Sequence, residues 1–278
     1  MILDCAGRDL DLTRPQVMGI LNVTPDSFSD GGCFTGPERA LERARRMVEE
    51  GAAIIDVGGE STRPGAQGVP LEQELERVIP VIEAIRSELA VPVSIDTSKA
   101  HVMREAVRAG AGMINDVMGL RGEGALQAAA DAAVPVCLMH MQGEPRTMQR
   151  AHSYREVVTD VAEFFEQRVR ACVAAGIPRG RLLLDPGFGF GKSLEHNLRL
   201  LAHLDVLRRP GLPLLVGISR KSMIGALLND APVERRLHGS LAAAVMAAER
   251  GAALLRVHDV GPTVEALMVV AAVLMRAE

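Results

Sequence analysis

Eight apolar, strand-like runs in this chain each carry a polar, chemically capable residue toward the same end. Residues 17–23 carry Asn22, 52–57 carry Asp56, 93–96 end on Asp96 and 113–115 on Asn115. Residues 136–140 end on His140, 182–185 on Asp185, 214–219 on Ser219 and 254–258 on His258. One polar strand end is explained by a turn or a helix cap. Eight at the same end call for an arrangement that gathers the carboxyl ends of parallel strands at one mouth, as a closed ring of strand–helix units does. The expected fold is therefore α/β: a single (β/α)8 TIM barrel with a short N-terminal extension.

Helical patterns between the runs support this. Residues 37–50 place Ala40, Leu41, Ala44, Met47 and Val48 on one face, and 71–89 do the same with Leu75, Val78, Ile82 and Ile85. Further helices are expected over 99–109, 124–132, 154–174, 194–204, 239–250 and 262–275, with a short extra one at 221–228. Gly51, Gly110, Gly176 and Gly251 sit at helix ends, where a left-handed cap favours glycine. Strict alternation means a parallel sheet, and an open dinucleotide-binding sheet would need a Gly-x-Gly-x-x-Gly turn that the first unit lacks. Residues 1–14 have no helix of their own and suit a small hairpin closing the barrel bottom.

The length of 278 residues is near the roughly 250 of one such barrel. No Pro/Ser-rich or charged linker divides it, so one domain spanning 1–278 is expected. With no Trp and six Phe, the core must be aliphatic. A formal net charge of −4 argues against a nucleic-acid partner. The four cysteines, Cys5, Cys33, Cys137 and Cys172, show no metal-ligand spacing, and Cys137 and Cys172 fall in apolar patterns. They suit a reducing compartment, and the expected location is the cytoplasm. No apolar run reaches membrane-spanning length, and residues 1–14 lack the apolar stretch of a signal peptide.

The loop after the first run (22–32) holds Asn22, Asp26, Asp30 and several hydroxyls. Asn22 offers a neutral oxygen to a hard cation such as Mg²⁺, which takes few protein ligands and keeps waters and phosphate oxygens. The same residue types also make ordinary turns. The loop after the second run (58–65) flanks Thr62 and Arg63 with glycines, so it either delivers a guanidinium to an anion or leaves it in solvent. After the seventh run come Gly217, Ser219, Arg220, Lys221 and Ser222, and the eighth carries Arg256, Val257 and His258. Loops at these two places often bind phosphate, so Lys221, Arg256 and His258 are expected to converge on an anion. Arg220 either joins them or pairs with a carboxylate outside the site.

Asp96, Asn115 and Asp185 make a different surface. Two carboxylates and an amide suit a flat heterocycle with several N–H groups, and Val117, Met139 and Phe190 suit its faces. Asp96 alone has another explanation, as a cap for the helix that follows. Residues 186–193 resemble a phosphate-binding Walker loop, but Pro186 replaces its first glycine. They read instead as a tight turn lining the pocket, with Phe188 or Phe190 as its apolar wall. His140 has no neighbouring pattern of metal ligands, and neither it nor Asp56 receives a role.

The segments Gly19 to Gly32, Asp56 to Gly65, Ile95 to Thr97, Ile114 to Asp116, Asp185 to Lys192, Ser219 to Ser222 and Arg256 to His258 together resemble bacterial dihydropteroate synthase along essentially the whole chain. The resemblance implies an enzyme joining 6-hydroxymethyl-7,8-dihydropterin diphosphate to 4-aminobenzoate in folate biosynthesis, with Mg²⁺ as cofactor and a homodimer as assembly. It implies Asn22 as metal ligand, Thr62 as a contact to the pterin diphosphate, and Asp96, Asn115, Asp185 and Lys221 as the pterin set. Arg256 and His258 would bind diphosphate. Arg63 and Ser222 would lie near the aminobenzoate, and Asp30 would complete the site. The catalytic group is then Asp30, Arg63, Asp96, Asp185 and Lys221, with Met139, Phe190, Gly217 and Val257 also lining the substrates.

Two rivals are a pterin-dependent methyltransferase domain and a non-catalytic pterin-binding paralogue. The first would not need the cationic residues of the last two units. The second predicts eroded first and second loops, and both are intact in this sequence.

Overall fold

The computed structural model describes residues 1–23, 36–61, 68–143, 153–208 and 211–274. Strands β1 (Ile2–Asp4) and β2 (Asp9–Asp11) form an antiparallel hairpin. Then follow β3 (Gln16–Asn22), α1 (Gly36–Glu49), β4 (Ile54–Gly58), α2 (Leu71–Glu88), β5 (Val93–Asp96), α3 (Ala100–Arg108), β6 (Met113–Asp116), α4 (Ala125–Ala132) and β7 (Val136–Met139). The second part runs through α5 (Val157–Ala174), β8 (Leu182–Asp185), α6 (Leu194–Ala202), β9 (Leu214–Val216), α7 (Ser222–Leu227), α8 (Leu237–Glu249), β10 (Ala252–Val257) and α9 (Val260–Leu274). Strands β3 to β10 pair in parallel with their chain neighbours, and β10 pairs with β3, closing the barrel.

Side chains alternate across a strand, and three packed clusters record that alternation. Outward residues such as Val17, Leu21, Ile55, Val57, Ile95, Ile114, Leu138, Leu184, Val216 and Leu255 pack beneath the helices. The helices present the faces expected of them: Ala40, Leu41, Ala44 and Met47 of α1 are buried, as are Val78, Val81, Ile82 and Ile85 of α2. Inward residues at the amino ends, Met18, Ile54, Met113, Cys137, Leu183, Leu215 and Leu254, pack on Leu3, Cys5, Leu10 and Leu12 of the N-terminal segment. The hairpin thus stoppers the barrel bottom. Cys5, Cys137 and Cys172 are free and buried.

The helix ends turn where the glycines predict, with φ of +97° at Gly51, +110° at Gly110, +91° at Gly176 and +89° at Gly251. Several elements are shorter than the sequence pattern suggests. The longest expected helix begins at Val157 rather than residue 154, because Glu156 accepts a bond from the Thr159 amide and caps it there. Strand β9 stops at Val216, so Ser219 lies beyond it.

Candidate active site

Two residues along most inward rows from the apolar floor, the chemistry changes; the β3 row stays apolar at Ile20, and Asp96 follows Ser94. The next layer holds Asp56, Asp96, Asn115, Met139, Asp185, Gly217 and Arg256. Register places them together: Gly58 pairs with Asp96, Asp96 with Asn115, and Met139 with Asp185.

Arg256 organises this layer. Its Nε donates to Asp56 Oδ2 at 2.6 Å and its Nη2 to Asp96 Oδ2 at 2.6 Å. Asn115 Nδ2 adds a third bond to Asp56 Oδ2 at 3.1 Å. Among the described residues, Asp56 Oδ1, Ser94 Oγ and Asp96 Oδ1 are buried and have no hydrogen-bond partner, so acceptors are left facing the barrel interior. Burial pushes the Asp96 carboxyl up to about 7; Arg256 opposes that, while Asp56, Asp116 and Glu74 add to it. Burial also opposes the charge of Arg256, but the carboxylates of Asp56 and Asp96 outweigh it and hold the guanidinium above its usual range. Asp185 is raised by burial against the pull of Lys221 and the Gly187 N–H, which donates to its Oδ1 at 2.7 Å.

Beside the carboxylates stands an apolar wall. Val117, Met139 and Met141 form a separate cluster with Met118 and Phe190 packed against it. Lys221 Nζ lies 4.4 Å from the centroid of the Phe190 ring and donates to the Phe188 carbonyl. Burial lowers Lys221 to about 8, with Asp185 acting against that fall. Phe188 itself is in the outer core, so Phe190 is the wall residue of this turn. The turn from Asp185 to Lys192 is left-handed at Gly187, Gly189 and Gly191. A Cβ at Gly187 would come within 2.0 Å of the His140 carbonyl oxygen, so only glycine fits there. Lys192 is buried beneath the turn, and Tyr154 donates to the Gly191 carbonyl at 2.9 Å.

The rim is more open. Asn22 ends β3 and pairs in register with Gly58, next to Asp96. The His258 amide donates to Ser219 Oγ at 3.2 Å, and its Nδ1 lies 3.1 Å from the same oxygen. Ser222 is the exposed first residue of α7. At the stem of the second loop, Lys99 bridges Glu60 and the buried Glu74, and Arg77 donates to the Gly59 carbonyl at 2.8 Å.

Three expectations change. Arg256 is not a free cation: Asp56 takes its Nε–H and Asp96 one Nη2–H, which leaves its other donors for an anion. Lys221 faces Phe190 and Asp185 rather than joining His258 in a phosphate cluster. Val257 packs in the outer shell, because the alternation that turns Arg256 inward turns its neighbour outward. Arg220 takes the alternative outside the site, donating to Asp259 at 2.8 Å. Asp96 is not a helix cap: Lys99 holds the N-cap position of α3, and its amide donates to Thr97 Oγ1. Asp30, Thr62 and Arg63 lie outside the described residues.

Asp56 was without a role in the sequence because its apolar run continues past it. The useful signal was parity: Ile54, Asp56 and Gly58 share one face. Among the described residues, no group of three or more His, Cys, Asp or Glu side chains could hold a metal ion. Asn22, a neutral oxygen donor on the rim near Asp96, fits an ion that relies on water and phosphate for most of its shell.

Residues 18–258 match the family model described as pterin binding enzyme. The chain is 57% identical over 278 residues to dihydropteroate synthase of Escherichia coli strain K12, covering 100% of this chain and 98% of that one. The dihydropteroate synthase of Xanthomonas albilineans, solved with 4-aminobenzoic acid, superposes with a TM-score of 0.93 at 57% identity, covering 98% of this chain and 97% of that one. The same enzyme in complex with 7,8-dihydropteroate gives 0.90 at 54% identity, with 98% of both chains covered.

Proposed function

The chain belongs to the dihydropteroate synthase family of pterin-binding enzymes, and from that premise we propose how its barrel mouth carries the reaction. As a transferase of folate biosynthesis, it condenses 6-hydroxymethyl-7,8-dihydropterin diphosphate with 4-aminobenzoate, giving 7,8-dihydropteroate and diphosphate. The observation that carries the reading is the layer of Asp96, Asn115 and Asp185 set directly above a sealed apolar floor.

In the proposed mechanism the pterin ring lies across that layer. Its N–H groups donate to Asp96, Asp185 and the Asn115 carbonyl oxygen, and its faces rest on Met139, Val117 and Phe190. The C–O bond to diphosphate breaks first, and the electron pair leaves with the phosphate. The cationic carbon left behind is stabilised by electron release from the ring and by Asp96 and Asp185. The lone pair of the aryl amine then forms the C–N bond, and the amine proton passes to solvent. No protein nucleophile is needed. Arg256 supplies its charge from the polar layer while bound to Asp56 and Asp96; His258 and Ser219 stand on the diphosphate side. Asn22 is the proposed Mg²⁺ ligand, and the ion would supply charge neutralisation to the departing diphosphate. Thr62 is proposed to contact the pterin diphosphate, Arg63 and Ser222 to lie near the aminobenzoate, and Asp30 to complete the site. That assignment is supported by their places in the matching motifs.

The proposed assembly is a homodimer. Met268, Val269 and Val273 of α9 are 67%, 65% and 62% exposed, a large apolar area to leave in water. The proposed location is the cytoplasm; no described helix is long and apolar enough to cross a membrane, and three buried thiols are unpaired.

The deciding experiment measures diphosphate release from dihydropterin diphosphate with and without 4-aminobenzoate and Mg²⁺. Continuous turnover that requires both is expected; a single release without aminobenzoate fits a C–O bond that breaks first. Absence of aminobenzoate-dependent turnover would overturn the synthase reading.

A further inference from the structure

We propose that Lys192 is a positioning residue for the pterin pocket, holding the 185–192 turn from beneath so that Phe190 and the anchor of Lys221 are in place before substrate arrives. The proposal rests on the synthase reading and adds a residue to its machinery that does not itself touch substrate.

Lys192 is 4% exposed. Its Nζ donates to the Gly187 carbonyl at 2.9 Å, the Phe190 carbonyl at 3.0 Å and the His140 carbonyl at 3.3 Å, and lies 3.0 Å from His140 Nδ1. An ammonium has three protons and no lone pair, so four acceptors saturate it. Burial works against that charge and lowers Lys192 well below its ordinary value, while Asp185 and the carbonyl acceptors around Nζ favour keeping the proton. Burial, with Lys192 and Arg121, drives His140 down to about 2, so its ring is neutral and Nδ1 is free to accept. The ring is itself fixed, edge-on to Phe164 at 4.9 Å. A buried amine is costly unless its bonds fix something.

What they fix is the backbone that the pocket residues hold from the other side. Lys192 grips the carbonyls of Gly187 and Phe190, while Asp185 accepts from the Gly187 amide and Lys221 donates to the Phe188 carbonyl. Asn197 Oδ1 takes the Gly189 amide at 2.8 Å. Without the Lys192 ammonium, the Gly187 and Phe190 carbonyls each lose a buried donor, and Gly187 keeps the Phe190 amide at 3.1 Å. The Phe190 ring, which meets Met139 and Lys221 through that backbone, loses its fixed place.

The test pairs Lys192→Met with Phe190→Leu in a double-mutant cycle, read by equilibrium binding of the pterin diphosphate and by separate KM values for both substrates. Thermal denaturation serves as the folding control. Lys192→Met is expected to weaken pterin diphosphate binding roughly tenfold or more, the scale of a lost buried charged hydrogen bond. The KM for aminobenzoate should stay within about twofold, and Lys192→Arg should recover part of the loss. Because both substitutions act through the same ring, the double variant should bind little worse than the worse single one. Equal weakening toward both substrates, strictly additive effects, or a lowered melting temperature with unchanged pterin binding would each overturn the proposal. If Lys192→Met does not fold, His140→Gln carries the same cycle. Wild-type protein lacking aminobenzoate-dependent turnover would count against the synthase reading instead.

Discussion

The two inward layers of the barrel share six strands, β4 and β6 to β10, with residues two apart, and have opposite chemistry. The floor of Met18, Ile54, Met113, Cys137, Leu183, Leu215 and Leu254 is wholly apolar and plugged by the hairpin. The layer above carries three carboxylates, an amide and a guanidinium. The floor draws its stability from burial alone. The mouth layer would be unstable by itself, since Asp56, Asp96 and Asp185 are buried together, and it depends on Arg256 from the far end of the chain. One layer keeps the barrel closed; the other uses that closure to hold charge out of water.

This contrast can be broken most severely at Arg256. Arg256→Met would leave Asp56 and Asp96 buried without a counter-charge, at a cost of about 3–5 kcal/mol. Urea denaturation should show that loss together with abolished turnover; a stable, active variant would refute the electrostatic division. One layer down, Leu183→Ala should cost about 3 kcal/mol in the same assay. The protein that remains folded should bind pterin diphosphate unchanged, because the floor does not touch the ring. A large change in affinity there would merge the two layers into one functional unit.

Chelation sharpens the contrast at the rim. Removing Mg²⁺ is expected to stop diphosphate release while leaving binding of a pterin without diphosphate intact, as calorimetry would show. Asn22→Ala should raise the Mg²⁺ concentration needed for half-maximal rate by roughly tenfold.

The pH dependence is subtler. Asp96 sits at about 7 in the folded protein against an ordinary 3.8. The folded state therefore holds that proton more tightly than the unfolded chain. Its contribution to stability is complete below pH 3.8 and is lost as pH rises through about 7. Melting temperatures measured across that window should fall less in Asp96→Asn than in the parent, and an unchanged slope would show that another group carries the transition. The smallest effect is expected at α9. Met268→Ser should alter monomer stability by under about 0.5 kcal/mol while weakening self-association in analytical ultracentrifugation.

The two layers also differ in how far the sequence revealed them. Strand ends, helix faces, glycine caps and the closing hairpin are local, and period and composition expose them. Asp96, Asn115 and Asp185 were visible because each terminates an apolar run. Asp56 stands in the same pattern but receives no role from it, because it lies inside its strand and its partner Arg256 is 200 residues away. Such a pair forms only when the ring closes, and no window of sequence contains it. The resemblance lists Val257 among the substrate-lining residues, whereas strand alternation places it in the outer shell. Lys192 stood in a motif that suggested phosphate, and only the folded turn shows its amine pointing back into the protein.

The pairing of β10 with β3 also bears on how the chain is made. Asp56 and Asp96 emerge during the first third of synthesis, and the guanidinium that neutralises them arrives with the last strand. Until β10 seats against β3, an unfinished barrel has an open edge and two inward carboxylates without their counter-charge. The catalytic mouth and the final seam are thus completed in a single event, and a chain ending before residue 252 would lack both.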